Sequence, residues 1–137
     1  MSAAQFELLR GITTATITTM LLKKGIRRCW LNGPKPLAPF GKRIVGAAFT
    51  LRFVPAREDL ATPESWAKPI STRGAIEEMP EGCIAVADAM GILSAGIFGD
   101  ILTMRMVKRR VAALVTDGAV RDKVGVLASK LPVWCAG

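Results

Sequence analysis

Residues 99–122, GDILTMRMVKRRVAALVTDGAVRD, constrain this chain more than any other stretch. Ile101–Arg110 is apolar at Ile101, Leu102, Met104 and Val107 and carries its positive charges in the last turn, where a helix dipole favours them. Val111–Thr116 is a short apolar run rich in β-branched residues and reads as a strand. A ten-residue helix descends roughly 15 Å, and a strand of five or six residues climbs back about 17–20 Å. The start of the helix and the end of the strand therefore return to the same edge of a sheet. Asp100 is expected to meet Asp117, Arg121 and Asp122 there.

That edge, outside the carboxyl ends of the strands, is where ligands of α/β proteins sit. The backbone N–H groups of Gly99, Asp100, Ile101 and Leu102 lie at a helix N-terminus and suit a carboxylate. Arg121 adds a forked cation for the same kind of anion. Asp122 and Asp100 suit a divalent cation, held directly or through water. Together they describe a site for a metal-chelated oxo-acid. Taken singly, each residue has an ordinary explanation: Asp100 as a helix cap, Asp117-Gly118 as a turn, Arg121-Asp122 as a surface pair. The convergence favours a site. Asp88, at the end of its strand, is expected to be structural, and Gly91 and Gly96 to serve turns or close packing.

The absence of His and Tyr excludes Ser-His and Cys-His nucleophiles, histidine bases and histidine metal ligands. Chemistry is left to carboxylates, Arg, Lys, Cys, backbone amides or a hard cation. Cys29, Cys83 and Cys135 are odd in number and widely spaced, as expected of reduced thiols in a cytoplasmic protein. No apolar run approaches the roughly 20 residues of a membrane span.

With 137 residues the chain suits a single domain, 1–137. Its 50% hydrophobic content fits either a well-buried sheet or a surface covered by neighbouring subunits. The net charge of +8 raises nucleic acid or anionic small molecules as partners. The charges are spread in ones and twos, with Lys108-Arg109-Arg110 the longest run, and no RNA-binding signature accompanies them, so nucleic acid is not the expected partner.

Elsewhere, Ser2 with Gln5 forms a capping box before a helix carrying Phe6 and Leu9. Thr13 or Thr14 caps a second helix with Ile17, Met20 and Leu21 on one face, ended by Lys23-Lys24-Gly25. Residues 32–41, NGPKPLAPFG, read as a loop. Ile44–Val54 reads as a strand, with Val45, Ala47, Phe49, Leu51 and Phe53 on one face. A long loop passes through Pro63 and Pro69, Thr72–Met79 is a short helix stopped by Pro80, and Cys83–Asp88 is a buried strand. Leu131–Ala136 is an apolar strand expected to leave an exposed sheet edge, which points to assembly with other copies.

The GD at 99–100 and DGAVRD at 117–122, with VGAAFTLRF (45–53), MPEGCIAVADAMG (79–91) and LPVWCAG (131–137), resemble the family of 4-hydroxy-4-methyl-2-oxoglutarate aldolases, which also contains the regulator of ribonuclease activity A (RraA-like). The resemblance implies a swivelling β/β/α fold, a homo-trimer or a hexamer of two trimers, and a Mg²⁺- or Mn²⁺-dependent lyase of the class II aldolase kind. Its substrates would be small 2-oxo acids, cleaved to pyruvate, with oxaloacetate decarboxylation as a second activity. By position, Gly99, Asp100, Ile101 and Leu102 would line the substrate carboxylate site, Arg121 would bind substrate, and Asp122 would bind the metal. Arg121 and Asp100 would carry catalysis. Regulator-type members lose the final acid of this motif, and Asp122 is retained here. The alternative is a non-catalytic regulator that binds a ribonuclease complex through its surface. Members commonly have Gly where Arg110 and Lys130 stand, each closing a helix in left-handed geometry. They also continue beyond the position of Gly137, with further strands and an acid that reaches a neighbour's site. The chain is thus expected to lack the C-terminal part of the family domain.

Overall fold

A computed structural model describes residues 2–137. The frame is a parallel sheet whose strands follow one another in chain order: β2 (Ala48–Arg52), β3 (Ile84–Asp88), β5 (Ala113–Thr116) and β7 (Val133–Cys135). Each step to the next parallel strand needs a crossover, supplied in turn by α3 (Thr72–Glu78), α4 (Asp100–Lys108) and α5 (Lys123–Ala128). Crossovers share one hand, and strands added in a single direction put every helix on the same face. Helix α4 accordingly packs against both α3 and α5.

The core lies between these helices and the sheet. Ile76 of α3, Met106 of α4 and Val126 of α5 are fully buried, and meet the small Ala85 and Ala87 of β3 and Leu114 of β5. The opposite face is flanked by the N-terminal segment, with helices α1 (Ala3–Arg10) and α2 (Thr14–Lys23). A groove of about 710 Å³ remains there, lined by Leu9, Ile17, Trp30, Ile84, Val115 and Trp134 among others.

Local chemistry explains most boundaries. Ser2 and Gln5 exchange both capping-box hydrogen bonds at the start of α1, and the Thr13 hydroxyl accepts from the Thr16 N–H at the start of α2. Gly25, at φ +81°, closes α2. Ser71 caps α3, and the helix ends at Glu78 with Pro80 two residues beyond.

Four expectations need correction. The strand expected over Ile44–Val54 is confined to Ala48–Arg52, because only those residues have β3 opposite them. The expected alternation holds: Phe49 and Leu51 turn inward while Thr50 and Arg52 face out. The loop at 32–41 contains a short strand, β1 (Lys35–Pro36), antiparallel to β7. Strand β7 is consequently not a bare edge: β1 covers it, with Lys35 opposite Cys135, and Pro36 sits on the outer strand where a missing donor is tolerated. The stretch from Pro63 to Pro69 contains a 3-10 helix, Pro63–Ala67, rather than loop alone.

A second, two-stranded parallel sheet pairs β4 (Gly96–Phe98) with β6 (Ala119–Val120). Sequence periodicity did not show it. It matters because β4 leads directly into Gly99 and α4, and β6 directly into Arg121.

Candidate functional site

The opening of α4 is joined to the segment after β6 rather than to the end of β5, and both elements are shorter than expected, α4 at Asp100–Lys108 and β5 at Ala113–Thr116. The Arg121 N–H donates to the Phe98 carbonyl (2.9 Å), which fixes the loop after β6 against the turn that opens α4. The Arg121 side chain then passes over Gly96 and Gly99. A Cβ on Gly96 would lie 2.7 Å from the Arg121 Cβ, and one on Gly99 would lie 2.8 Å from Asp122 Oδ2 and 3.3 Å from Arg121 Nε. Close approach to the Arg121 Cβ and backbone requires glycine at 96, whereas a Cβ at 99 would meet only side-chain atoms. Arg121 Nε lies 3.6 Å from Asp122 Oδ2, and both side chains are largely open to solvent.

Asp100 is the first residue of α4, with Gly99 as the N-cap. Its carboxylate folds back to accept from the Ile101 N–H (2.7 Å). The first intrahelical bond runs from Thr103 N to Gly99 O, so the N–H groups of Asp100 and Leu102 precede the helical ladder and no cap side chain accepts from them. The first turn of α5 closes over this point: a Cβ on Gly125 would lie 2.5 Å from the Asp100 Cβ and 3.0 Å from its Oδ2. Gly99, Asp100, Ile101, Leu102, Arg121 and Asp122 thus form one cluster where the N-termini of α4 and α5 meet.

Asp117 does not join it. Its two carboxylate oxygens accept from the N–H groups of Ala89 (2.6 Å) and Gly91 (2.8 Å). Asp88 accepts from Met90 N–H (2.8 Å) and from Arg52 Nε (2.7 Å). Two acids therefore hold the tight turn at 89–92, in which Met90 and Gly91 both have positive φ. Asp88 is structural as expected. The Met90 N–H, and after it Arg52, hold its carboxyl below the ordinary value. Gly91 serves the turn, and Gly96 the close packing.

Two residues of the site escaped sequence reading. Thr103 is fully buried, and its hydroxyl donates within reach of the carbonyls of Gly99 and Asp100, both at 3.0 Å. Its position, one turn into the helix on the core side, is the only local signal. Gly125 acts through a contact distant in sequence, against Asp100. Asp122 itself is the N-cap of α5 and is held in left-handed geometry, φ 55° and ψ 43°, which costs a non-glycine residue on the order of 1 kcal/mol. Such strain concentrates where function demands a particular side-chain direction.

The site's donors are hard oxygens. Among the described residues no group of three or more His, Cys, Asp or Glu is placed to hold a metal ion. A Mg²⁺-like cation does not need one: it retains waters and is commonly held by one or two carboxylates plus oxygens of the substrate. Asp122, whose Oδ2 lies beside Gly99, and the adjacent Asp100 are carboxylates of the type that requirement calls for. The arrangement thus offers two carboxylates, a guanidinium and helix N–H groups at one exposed point.

Comparison with known proteins bears on the family and the fold. The RraA-like family, described as Aldolase/RraA, matches residues 14–137. Protein DlpA of Legionella pneumophila is 30% identical over 103 residues, which span 75% of this chain and 16% of that protein. The crystal structure of Streptomyces coelicolor RraAS2, described as an unusual member of the RNase ES inhibitor RraA protein family, superposes with a TM-score of 0.84 at 32% identity, covering 99% of this chain and 64% of that one. The RNA-processing inhibitor RraA from Thermus thermophilis shares the fold, with a TM-score of 0.63 at 22% identity over 87% of this chain and 65% of that one. The chain therefore spans less than two thirds of each of these relatives.

Proposed function

The chain belongs to the RraA-like family, and on that premise we propose that its site is that of a divalent-metal-dependent lyase. The substrates are 4-hydroxy-2-oxo acids such as 4-hydroxy-4-methyl-2-oxoglutarate, cleaved to pyruvate, with oxaloacetate decarboxylation as a second reaction. The observation that carries this reading is the placement of Arg121 and Asp122 directly over Gly99, at the open N-terminus of α4.

The substrate carboxylate is received among residues 99–102 by the N–H groups of Asp100 and Leu102, which precede the helical ladder and lie where the helix dipole favours negative charge. Arg121 clamps the carboxylate or the 2-oxo oxygen through its planar fork. Asp122, with Asp100 beside it, would hold Mg²⁺ or Mn²⁺, which supplies Lewis acidity toward the 2-oxo group. In the retro-aldol direction the 4-hydroxyl gives up its proton, the C3–C4 bond breaks, and its electron pair enters the pyruvate enolate, which then takes a proton at C3. Arg121 stabilises the negative charge that develops on the oxo oxygen. No histidine is present, so Asp100 handles the proton through water. Loss of CO₂ from oxaloacetate leaves the same enolate, and one site serves both reactions.

Exposed apolar side chains beside the site support an assembly in which a neighbour covers it. Ile101 on α4 is 77% exposed and Val124 on α5 is 85% exposed, which suits a homo-trimer or a hexamer of two trimers.

The test is pyruvate formation from oxaloacetate with and without Mg²⁺. Turnover that is undiminished by EDTA and by Asp122→Ala sinks the reading. A second reading, regulation of a ribonuclease complex by protein–protein contact, draws on the 32% identity to RraAS2. Silence in the pyruvate assay together with inhibition of the ribonuclease would select it.

A further inference from the structure

The positive charge of this chain is segregated. Residues 8–57 contain ten Lys and Arg and not one Asp or Glu, whereas the other 87 residues contain nine Lys and Arg and eleven Asp and Glu. Spread in ones and twos, the cations look scattered along the sequence; the gap between Glu7 and Glu58 is what sets them apart.

The structure sharpens the contrast. Three of the ten are neutralised by partners: Arg10 by Glu7, Arg52 by Asp88 and Arg57 by Asp59. The remaining seven, at positions 23, 24, 27, 28, 35, 42 and 43, are exposed and have no acidic partner among the described residues. Elsewhere Arg105, Arg110 and Arg121 each have a carboxylate within 4 Å. An unneutralised stretch of this length raises the local concentration of a polyanion.

We propose that residues 23–43 form a binding track for single-stranded nucleic acid. Four of the cations follow one another closely at the end of α2 and just beyond it. The chain from 26 to 34 has no regular helix or strand, so Arg27 and Arg28 precede Trp30 in irregular chain. Trp30 is 62% exposed. Cations that meet a phosphate backbone, interleaved with an aromatic face on which a base stacks, are the requirements for sequence-tolerant single-strand binding. An anionic membrane surface fits less well. Helices that lie on membranes carry Lys and Arg along their polar face, whereas the polar residues of α2 before Lys23 are threonines and its cation is terminal. The track shares no residue with the Asp100–Arg121–Asp122 cluster, so this proposal and the lyase reading are tested by different variants.

The experiment is fluorescence anisotropy of a labelled oligouridine 20-mer with the full chain, from 25 to 200 mM KCl, with oligothymidine and a duplex of equal length as further arms. Seven cations at about 0.7 counterions per neutralised phosphate set a limiting slope of log K on log salt of about −5. A measured slope steeper than about −3 supports the track. Replacing Lys23, Lys24, Arg27 and Arg28 together by Ala should make the slope shallower by about 3, and Arg27→Ala or Arg28→Ala alone by about 0.7. Trp30→Ala should weaken binding roughly tenfold at an unchanged slope. Equal affinity for RNA and DNA supports reading of backbone and base face; a preference for RNA supports the track with an added contact to the 2′-hydroxyl. No saturable binding at 25 mM KCl, a slope unmoved by the fourfold variant, or tighter binding to the duplex overturns it. Binding to phosphatidylglycerol vesicles without binding to either oligonucleotide overturns it in favour of a lipid surface.

Discussion

Gly125 of α5 sits against Asp100 of α4 so closely that any side chain at 125 would put its first carbon 2.5 Å from the Asp100 Cβ. The contact joins the openings of two helices, and the neighbouring Asp122 is the cap of the second. Position 125 therefore governs how the two carboxylates stand relative to one another.

Gly125→Ala is expected to separate the helix openings. Overpacking of this kind costs about 1–3 kcal/mol, and a displacement near 1 Å at reacting groups costs about a hundredfold in rate. Gly118→Ala is the control, because its Cβ would meet the Ala89 Cβ at the same 2.5 Å but outside the cluster. Thermal melts and steady-state pyruvate release distinguish the two. Equal losses of stability with activity lost only in Gly125→Ala support the positioning role, and full activity in Gly125→Ala refutes it.

Asp122 combines strain with a proposed metal-binding role, which makes its substitutions separable. Asp122→Gly removes both the carboxylate and the cost of left-handed geometry, and should stabilise the fold by up to about 1 kcal/mol while eliminating Mg²⁺-dependent turnover. Asp122→Ala eliminates turnover without that gain. Retained turnover in either protein would remove Asp122 from the metal site. A lower melting temperature for Asp122→Gly would show instead that its carboxylate stabilises the site turn.

Arg110 and Lys130 each follow a helix in left-handed geometry, at φ 57° and 61°. Glycine closes helices there most easily, and the family resemblance pointed to glycine at both places. Arg110→Gly and Lys130→Gly should each stabilise by about 0.5–1 kcal/mol, or roughly 2–5 °C in melting temperature. Arg110→Gly gives up an exposed ion pair with Glu81, which is worth little, so Lys130→Gly should show the larger gain. Melting curves of the two single variants and the double variant test this, with near-additive shifts expected because the sites share no partner.

These positions also show what was legible in the sequence. The GD and RD pairs stood out because an apolar helix period and a β-branched run lie between them and suggest a return to one edge, although in the structure the β4–β6 pair brings Arg121 to Gly99. The helix-closing conformations of Arg110 and Lys130 were legible through the residue type expected there. The β4 and β6 strands were not, since three and two residues are too short to show alternation. The role of Gly125, and the segment against which Gly96 packs, were hidden because a close approach between distant segments leaves no local pattern. Asp117 was misassigned to the cluster for a related reason. Its partners, the amides of Ala89 and Gly91, come from another turn, and chain proximity to Arg121 did not reveal them. The shortened β2 and the covered β7 reflect pairing partners, which sequence patterning of a single strand does not contain.

Stability should depend on pH in acid and little near neutrality. Arg105 binds both oxygens of Glu77, at 2.6 and 2.5 Å, and holds its carboxyl below the ordinary 4.5. Asp88 is held below 3.8, chiefly by the Met90 N–H and then by Arg52. A depressed folded pKa contributes stability that is present above the ordinary value and lost as pH falls through the folded one. The melting temperature should therefore decline as pH drops below about 4.5. With no histidine in the chain, it should be nearly flat from about pH 5.5 to 7.5. Glu77→Gln should reduce the acid decline while lowering the plateau slightly, because the pair is exposed. An unchanged acid decline in that variant would assign the effect to other carboxylates.

Assembly provides the last prediction. Met104 on α4 is 50% exposed and Leu127 on α5 is 41% exposed, and with Ile101 and Val124 they give the two helices that open at the proposed site exposed apolar side chains. Contiguous apolar surface beside a polar cluster marks an interaction site, and closed rotational symmetry buries such surface without growing filaments. The expected state is a trimer, or a hexamer of two trimers, with Asp100, Arg121 and Asp122 near a subunit boundary. Val124→Glu, which places charge on this surface outside the proposed chemistry, should shift sedimentation equilibrium toward monomer and lower turnover in parallel. A wild-type chain that is monomeric at micromolar concentration refutes the assembly. If that monomer also turns over oxaloacetate with Mg²⁺, the site is complete within one chain, and the neighbour has no part in the reaction.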